Sequence, residues 1–202
     1  MIPHGIDFSK YDVINENRDR HQRIENDKKI ISFVGRLSKE NYVHHFPEII
    51  EKLLTKRADF LLALAGDGEL RTSLEEQIKN SSFPKSHLML LGFQDQEECL
   101  SLRKASDICG GFSLIEACAA ARPVVAYAVE WHSELVINNV TGFLIDENDT
   151  DRVALVIDQL LSDQAAANRM GKKAAELARK KHDIRLTSEI KTECYNELLQ
   201  IK

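Results

Sequence analysis

The segment Gly110-Gly111-Phe112-Ser113-Leu114 carries the clearest chemical signal in the sequence. It follows an apolar run that predicts a strand and precedes an alanine-rich run that predicts a helix. Adjacent glycines at a helix N-terminus expose backbone N–H groups at the positive end of the helix dipole, which favours a bound anion such as phosphate. Glu116, one turn into this helix, could accept hydrogen bonds from vicinal sugar hydroxyls. Taken alone, this residue is better interpreted as a solvated helix glutamate.

Two earlier turns also follow predicted strands. In Phe33-Val34-Gly35-Arg36-Leu37, the arginine lies at the carboxyl end of a strand, where ligands bind in open α/β sheets and where a guanidinium can chelate phosphate oxygens. The alternative is an exposed loop arginine. The turn Gly66-Asp67-Gly68 is not a dinucleotide fingerprint, because Arg71 occupies the place of the third glycine. We therefore interpret it as a tight structural turn.

The loop Glu130-Trp131-His132-Ser133-Glu134 contains the only tryptophan of the chain. An aromatic side chain beside a histidine and two carboxylates is compatible with sugar binding or acid–base chemistry. A wedge of Trp131 against the core explains the same residues. For His44, His45 and His182, solvated or half-buried structural positions are the default expectation.

Short apolar runs alternate with helix-length amphipathic segments along the chain, which is typical of βα units on a parallel sheet. We predict a Rossmann-like α/β fold, with a parallel sheet of about six strands and helices on both faces. A linker over residues 1–28 precedes the domain at 29–202. Asp149 is expected to cap the helix that carries Val153, Val156 and Leu160. The predicted strands are Ile30–Val34, Phe60–Ala65, Leu88–Leu91, Ser106–Cys109, Pro123–Tyr127 and Gly142–Ile145.

Composition excludes several other classes of protein. A formal charge of −5 without a lysine or arginine cluster argues against a nucleic-acid partner. The four cysteines form no CxxC pair and have no metal-ligand spacing with the histidines, so we expect reduced thiols of a cytoplasmic protein and no metal site. No apolar run approaches the roughly 20 residues that span a bilayer.

In this order and spacing, the segments resemble the donor-binding, C-terminal domain of the group 1 (family 4) glycosyltransferases, which have the GT-B fold of two facing Rossmann-like lobes. The resemblance runs from about residue 29 to the end of the chain, and the combination of segments is far more specific than any one of them. The matching segments are Phe33–Leu37, Leu64–Leu70, Leu90–Phe93, Leu114–Ala120 with Arg122–Ala126, Glu134–Val136 and Asn139–Ile145.

The resemblance implies roles for individual residues. Arg36 would contact the donor diphosphate, and Glu116, as the second glutamate of the family's Glu–seven residues–Glu motif, would hold the ribose. The turn at Gly111, Phe112, Ser113 and Leu114 would direct its N–H groups at the phosphates. Phe93 and Gln94 lie where the family packs the nucleotide base.

The sequence departs from the family at two places. Asn41 replaces the lysine that stands five residues after the arginine, so that Lys39 is the nearest cation. Counting back from Glu116 to the first glutamate of the motif leads to Ile108, and the segment that normally carries a Pro-Ser turn and that glutamate is absent. Either part of the donor-sugar site has been lost, or the sequence in hand omits a loop. The catalytic residue is therefore unknown from the sequence.

The resemblance implies hexosyl transfer from a nucleotide-diphosphate sugar to an acceptor hydroxyl, with retention of configuration and without a cofactor or metal. Polysaccharide biosynthesis is the expected setting. The partners would be the nucleotide sugar and an N-terminal acceptor lobe that is missing here, and peripheral membrane association of the full enzyme stays open. The alternative is a non-catalytic nucleotide-sugar-binding domain. A different nucleotide-dependent Rossmann enzyme is disfavoured, because the chain contains neither Gly-x-Gly-x-x-Gly nor a Walker-type loop.

Overall fold

The computed structural model describes residues 3–13, 28–111 and 113–200. Its centre is one sheet of six parallel strands in the order β3-β2-β1-β4-β5-β6, with helices on both faces. The fold class predicted from the sequence is confirmed. The strands are β1 Lys29–Val34, β2 Phe60–Ala65, β3 Leu88–Gly92, β4 Ile108–Gly110, β5 Val124–Tyr127 and β6 Gly142–Ile145.

Alternate residues of the strands face hydrophobic cores on opposite faces of the sheet. In β1, Ile31 and Phe33 belong to the larger core, whereas Ile30 packs on the opposite face with Leu61 of β2. Because both faces are covered, the strands are apolar almost throughout, as expected for a parallel sheet. The parallel register of the strands places all of their carboxyl ends at the same edge of the sheet.

The helices begin where the sequence provides caps. Asp149 accepts the N–H of Arg152 at the start of α6 (Thr150–Ser162), as predicted. Asp95, which was not predicted as a cap, forms a capping box with Glu98 at the start of α4 (Gln96–Ala105). Asp163 caps α7 in the same way, by accepting the N–H of Ala166. The α-helices are α1 Ser9–Val13, α2 Phe46–Leu54, α3 Arg71–Asn80, α4 Gln96–Ala105, α5 Leu114–Ala119, α6 Thr150–Ser162, α7 Gln164–His182 and α8 Ile184–Gln200.

The predicted bounds of the fourth strand, Ser106–Cys109, were wrong by one or two residues at each end. Ser106 ends α4 and donates its hydroxyl to Leu102 O, so β4 begins only at Ile108 and extends to Gly110. A separate 3₁₀ turn, Val43–His45, leads directly into α2, Phe46–Leu54. Pro47 lies in the first turn of α2, where its missing N–H has no intrahelical partner in any case.

Residues 3–13 lie against α7 and α8. The N–H of Ile6 donates to His182 O (2.8 Å) and the N–H of Ile184 donates to Ile6 O (2.9 Å). Phe8 is buried, with the Arg179 guanidinium 4.7 Å from its ring centroid. The division into a linker at 1–28 and a domain at 29–202 stays a prediction. Among the residues that the structure describes, no helix is both long and apolar enough to cross a bilayer.

Candidate functional site

The loops after β1 and β2 are locked together at the carboxyl edge of the sheet. The N–H of Leu37 donates to Asp67 O (3.0 Å), and the N–H of Leu70 donates back to Leu37 O (2.9 Å). Gly66 has a φ of +146°, and a Cβ at this position would lie 1.9 Å from Gly35 O. Only glycine therefore fits, and the turn fixes the backbone that carries Arg36.

Arg36 extends from this locked backbone into solvent. Its carbonyl accepts a 2.7 Å hydrogen bond from the Asn41 side chain, and its own side chain is exposed. No ion pair within 4.0 Å engages Arg36 or the exposed Lys39 in the part of the chain that the structure describes. Asn41, at the position of the expected lysine, thus shapes the loop instead of supplying charge, while the Arg36 guanidinium remains available to a ligand.

The connection from β4 to α5 is short and closely packed. Gly111 has a φ of +104°, and a Cβ there would lie 2.6 Å from the Phe33 ring. Ser113 is the residue before α5, and its carbonyl accepts the N–H of Ala117. Leu114 is fully buried and anchors the helix. Phe112 lies outside the described residues.

Glu116 is half-buried on α5, and its charge acts on Cys99 of α4. Burial raises the pKa of the Cys99 thiol, and the nearby carboxylates of Asp95, Glu98 and Glu116 raise it further against the opposing charge of Arg103. The Cys99 thiol also donates to Gln94 O (3.7 Å). Glu116 therefore lies on the same side as the loop after β3.

That loop presents an exposed ring. Phe93 is 82% exposed, so its ring is accessible to a ligand. The Gln94 side-chain amide donates to Leu91 O (3.0 Å) and Phe93 O (2.9 Å), which folds the loop back on itself. Gly92 has a φ of +73°, and the Arg71 guanidinium packs against it. The loop is thus held by its own hydrogen bonds, and the ring of Phe93 projects from it into solvent.

The order of the strands brings these loops into one row. Strands β1 and β4 are neighbours in the sheet but belong to different halves of the chain, so the crevice between their carboxyl ends is the topological switch point at which open α/β sheets bind ligands. Arg36 and Gly111 follow these two strands. With about 4.8 Å between strands, the loop of Phe93 is displaced by about 14 Å from that of Gly111. The row therefore suits an elongated ligand with an anionic group at the switch point.

The loop after β5 is anchored to the core by two of its side chains. His132 is buried, with its Nδ1 2.8 Å from Tyr127 O, and Trp131 packs against the core formed by α5 and α7. The interpretation of Trp131 as a wedge is therefore confirmed. His45 has a contact that the sequence did not indicate: its Nδ1 is hydrogen-bonded to the Tyr127 hydroxyl at 2.8 Å.

Beneath the switch point is a cavity of about 80 Å³. It is enclosed by the larger core and extends to Asn41, Gly111 and His132 at the carboxyl edge of the sheet. No local sequence pattern indicates it, because its walls come from four strands, two helices and the connecting segments at Asn41, Gly111 and His132. Among the described residues, no cluster of three or more His, Cys, Asp or Glu side chains has a geometry that could hold a metal ion.

Comparison with known proteins decides the family. The model of the family "Glycosyl transferases group 1" matches residues 14–177. The chain belongs to this family. It is 25% identical over 180 residues to the alpha-D-kanosaminyltransferase of Streptomyces kanamyceticus, an alignment that covers 85% of this chain and 46% of that enzyme. The chain thus spans about half the length of the curated relatives it matches.

Solved glycosyltransferase structures share the fold. Anabaena HepE, in complex with UDP and glucose, superposes with a TM-score of 0.84 at 20% identity, over 96% of this chain and 55% of HepE. The C-terminal domain of the group 1 glycosyl transferase LpcC from Francisella tularensis superposes with a TM-score of 0.78 at 23% identity, over 89% of this chain and all of that domain. At these identities the likeness concerns the fold, and the roles of single residues stay predictions.

Proposed function

We propose that this chain holds the nucleotide-diphosphate sugar of a glycosyltransferase that moves a hexose to an acceptor hydroxyl. The observation that carries the proposal is the position of Arg36 and the Gly111–Ser113 turn on either side of the switch point between β1 and β4. A guanidinium with no ion pair in the described structure and the backbone of a helix start provide complementary contacts for a diphosphate.

The same row of loops accounts for the rest of the nucleotide. The exposed ring of Phe93 offers a stacking surface for the base, with Gln94 holding its loop, and Glu116 is the carboxylate for the ribose hydroxyls. HepE is described as bound to UDP and glucose, which makes UDP the first ligand to test.

Departure of the nucleotide diphosphate leaves negative charge on its terminal phosphate. We propose that Arg36, Lys39 and the N–H groups before α5 stabilise this charge without a metal or cofactor. Each such preorganised donor typically contributes about 3 kcal/mol to the transition state. Retention of the anomeric configuration is part of the proposal.

The acceptor is assigned to a second lobe that lies outside this sequence, so this chain alone would bind the donor and turn over little or none of it. We extend the proposal to a cytoplasmic enzyme of polysaccharide biosynthesis whose acceptor lobe provides any attachment to a membrane surface.

Isothermal titration of the 202-residue chain with UDP tests the proposal. Arg36→Ala should weaken UDP binding by about 10-fold or more, since charge-assisted hydrogen bonds contribute about 1.5–3 kcal/mol. Arg169→Ala, on the exposed surface of α7, makes the same change in net charge and should leave the dissociation constant unaltered. Equal effects of the two substitutions, or no UDP binding by the wild type, would overturn the assignment of the site.

A non-catalytic binding domain is the second candidate, favoured by one specific observation. Only residues 111–113 separate β4 from α5, so this connection has no room for the first glutamate of the family motif. Joining the chain to the acceptor lobe of a relative and assaying hydrolysis of a nucleotide sugar separates the candidates. Binding of UDP without any turnover favours the second.

A further inference from the structure

The cavity beneath the switch point has almost entirely carbon walls. On one side it is bounded by the sheet through Phe33 and Tyr127, and on the other by α2 and α6 through Phe46, Val153 and Ile157. Its volume is about 80 Å³, roughly half that of an apolar cavity known to take up benzene. It therefore fits a group of two to four heavy atoms, and such a space is more stable filled with carbon than with water.

The cavity reaches the carboxyl edge of the sheet beside the proposed diphosphate site. Gly111 lines the cavity and also begins the turn toward α5, and Gly110 before it lacks a side chain that could close the gap. Asn41 lines the cavity as well, while its side-chain amide is bonded to Arg36 O. A sugar attached to a diphosphate between Arg36 and Gly111 would thus lie beside this end of the cavity.

We infer that the donor sugar carries an apolar substituent, such as an N-acyl group or a deoxy methyl, which enters this cavity. The inference rests on the proposed function. A free hydroxyl in the same place would lose its hydrogen bonds to water without gaining a partner from carbon walls, which is unfavourable. A methyl group there gains from leaving water, and each buried methyl or methylene should tighten binding about four-fold.

Titration calorimetry of the 202-residue chain with UDP, UDP-glucose, UDP-6-deoxyglucose, UDP-N-acetylglucosamine and its N-propanoyl homologue tests the inference. We expect UDP-6-deoxyglucose or the N-acyl pair to bind at least four-fold more tightly than UDP-glucose. Affinity should rise with acyl length until the cavity is full. The inference is overturned if UDP binds and all four sugars then bind equally.

A substitution that fills the cavity provides the second arm. Val153→Phe should abolish the preference among the sugars and leave the affinity for UDP itself unchanged. Leu155→Phe, on the same helix but 41% exposed, is the matched control and should alter neither. If Val153→Phe does not fold, Ile157→Phe replaces it. A preference that survives a folded filling variant contradicts the assignment of the substituent to this cavity.

Xenon provides a readout that does not depend on nucleotide binding. Xenon should shift the backbone amide signals of Val125 and Val153 in the wild type and leave those of Val153→Phe unmoved. If xenon enters but UDP does not bind, the proposed function fails and this inference fails with it. If UDP binds and xenon shifts no amide signal, the assignment of an apolar substituent to this cavity is refuted, while the proposed function stands.

Discussion

Replacing Gly66 with alanine tests whether the locked turn positions Arg36. Backbone at a φ of +146° costs a residue with a side chain about 1–3 kcal/mol. The new Cβ, 1.9 Å from Gly35 O, must also displace the β1 loop, and overpacking of this kind adds about 1–3 kcal/mol. We therefore expect the free energy of unfolding to fall by about 2–6 kcal/mol, a large part of the 5–15 kcal/mol typical of a whole domain.

Gly110→Ala is the control for this prediction. A Cβ on Gly110 would have its nearest contact at 3.5 Å, from Val125 O, and its backbone is not left-handed. Its free energy of unfolding should therefore stay within about 1 kcal/mol of the wild type. Urea unfolding followed by circular dichroism gives both values, and calorimetry with UDP should show weaker binding for Gly66→Ala. A free energy of unfolding for Gly66→Ala within about 0.5 kcal/mol of the wild-type value would show that the turn does not require glycine at this position.

Three further predictions concern neighbouring contacts. Asn41→Ala removes the 2.7 Å hydrogen bond to Arg36 O and should lower the free energy of unfolding by only about 0.5–1.5 kcal/mol. It should also weaken UDP binding, and an unchanged dissociation constant for UDP would show that this hydrogen bond does not position Arg36. Tyr127→Phe removes the bond to His45 and should destabilise by about 1 kcal/mol in urea, whereas Tyr195→Phe, at a 64% exposed position, should have no effect. Burial lowers the pKa of His45 below its usual 6.5, with the charge of His44 acting in the same direction, so the unfolded chain binds protons first and stability should fall as the pH drops below 6.5. His45→Gln should flatten that decline in unfolding curves between pH 7.5 and 5.5, and an identical decline in both proteins would rule this histidine out.

The strands and most helices could be predicted because their signals are local. The apolar runs of β2 and β6 gave exact bounds, and Asp149 capped α6 as expected. Each of these depends on residues a few positions apart, whereas the order of the strands in the sheet was not predicted.

The site was only partly accessible to the same reasoning. The sequence predicted that Arg36 and Gly111 each follow a strand. They are neighbours because those strands, β1 and β4, are adjacent in the parallel sheet. That Gly66 must be glycine because of Gly35 O depends on the register of β1 against β2, which no local pattern encodes. His45 and Tyr127 are 82 positions apart in the sequence. The residues that line the cavity come from many separate elements, so only the folded chain reveals either feature.

The pairing of Ile6 with the junction between α7 and α8 has a mechanical consequence. Two parallel backbone hydrogen bonds pin Ile6 to His182 and Ile184, and Gly5 sits so close to Thr187 that a Cβ would overlap its hydroxyl. Any polypeptide joined ahead of His4 and the whole of α8 therefore depart from a single pivot. The segment ahead of the domain and α8 are therefore held to one another at the junction of α7 and α8.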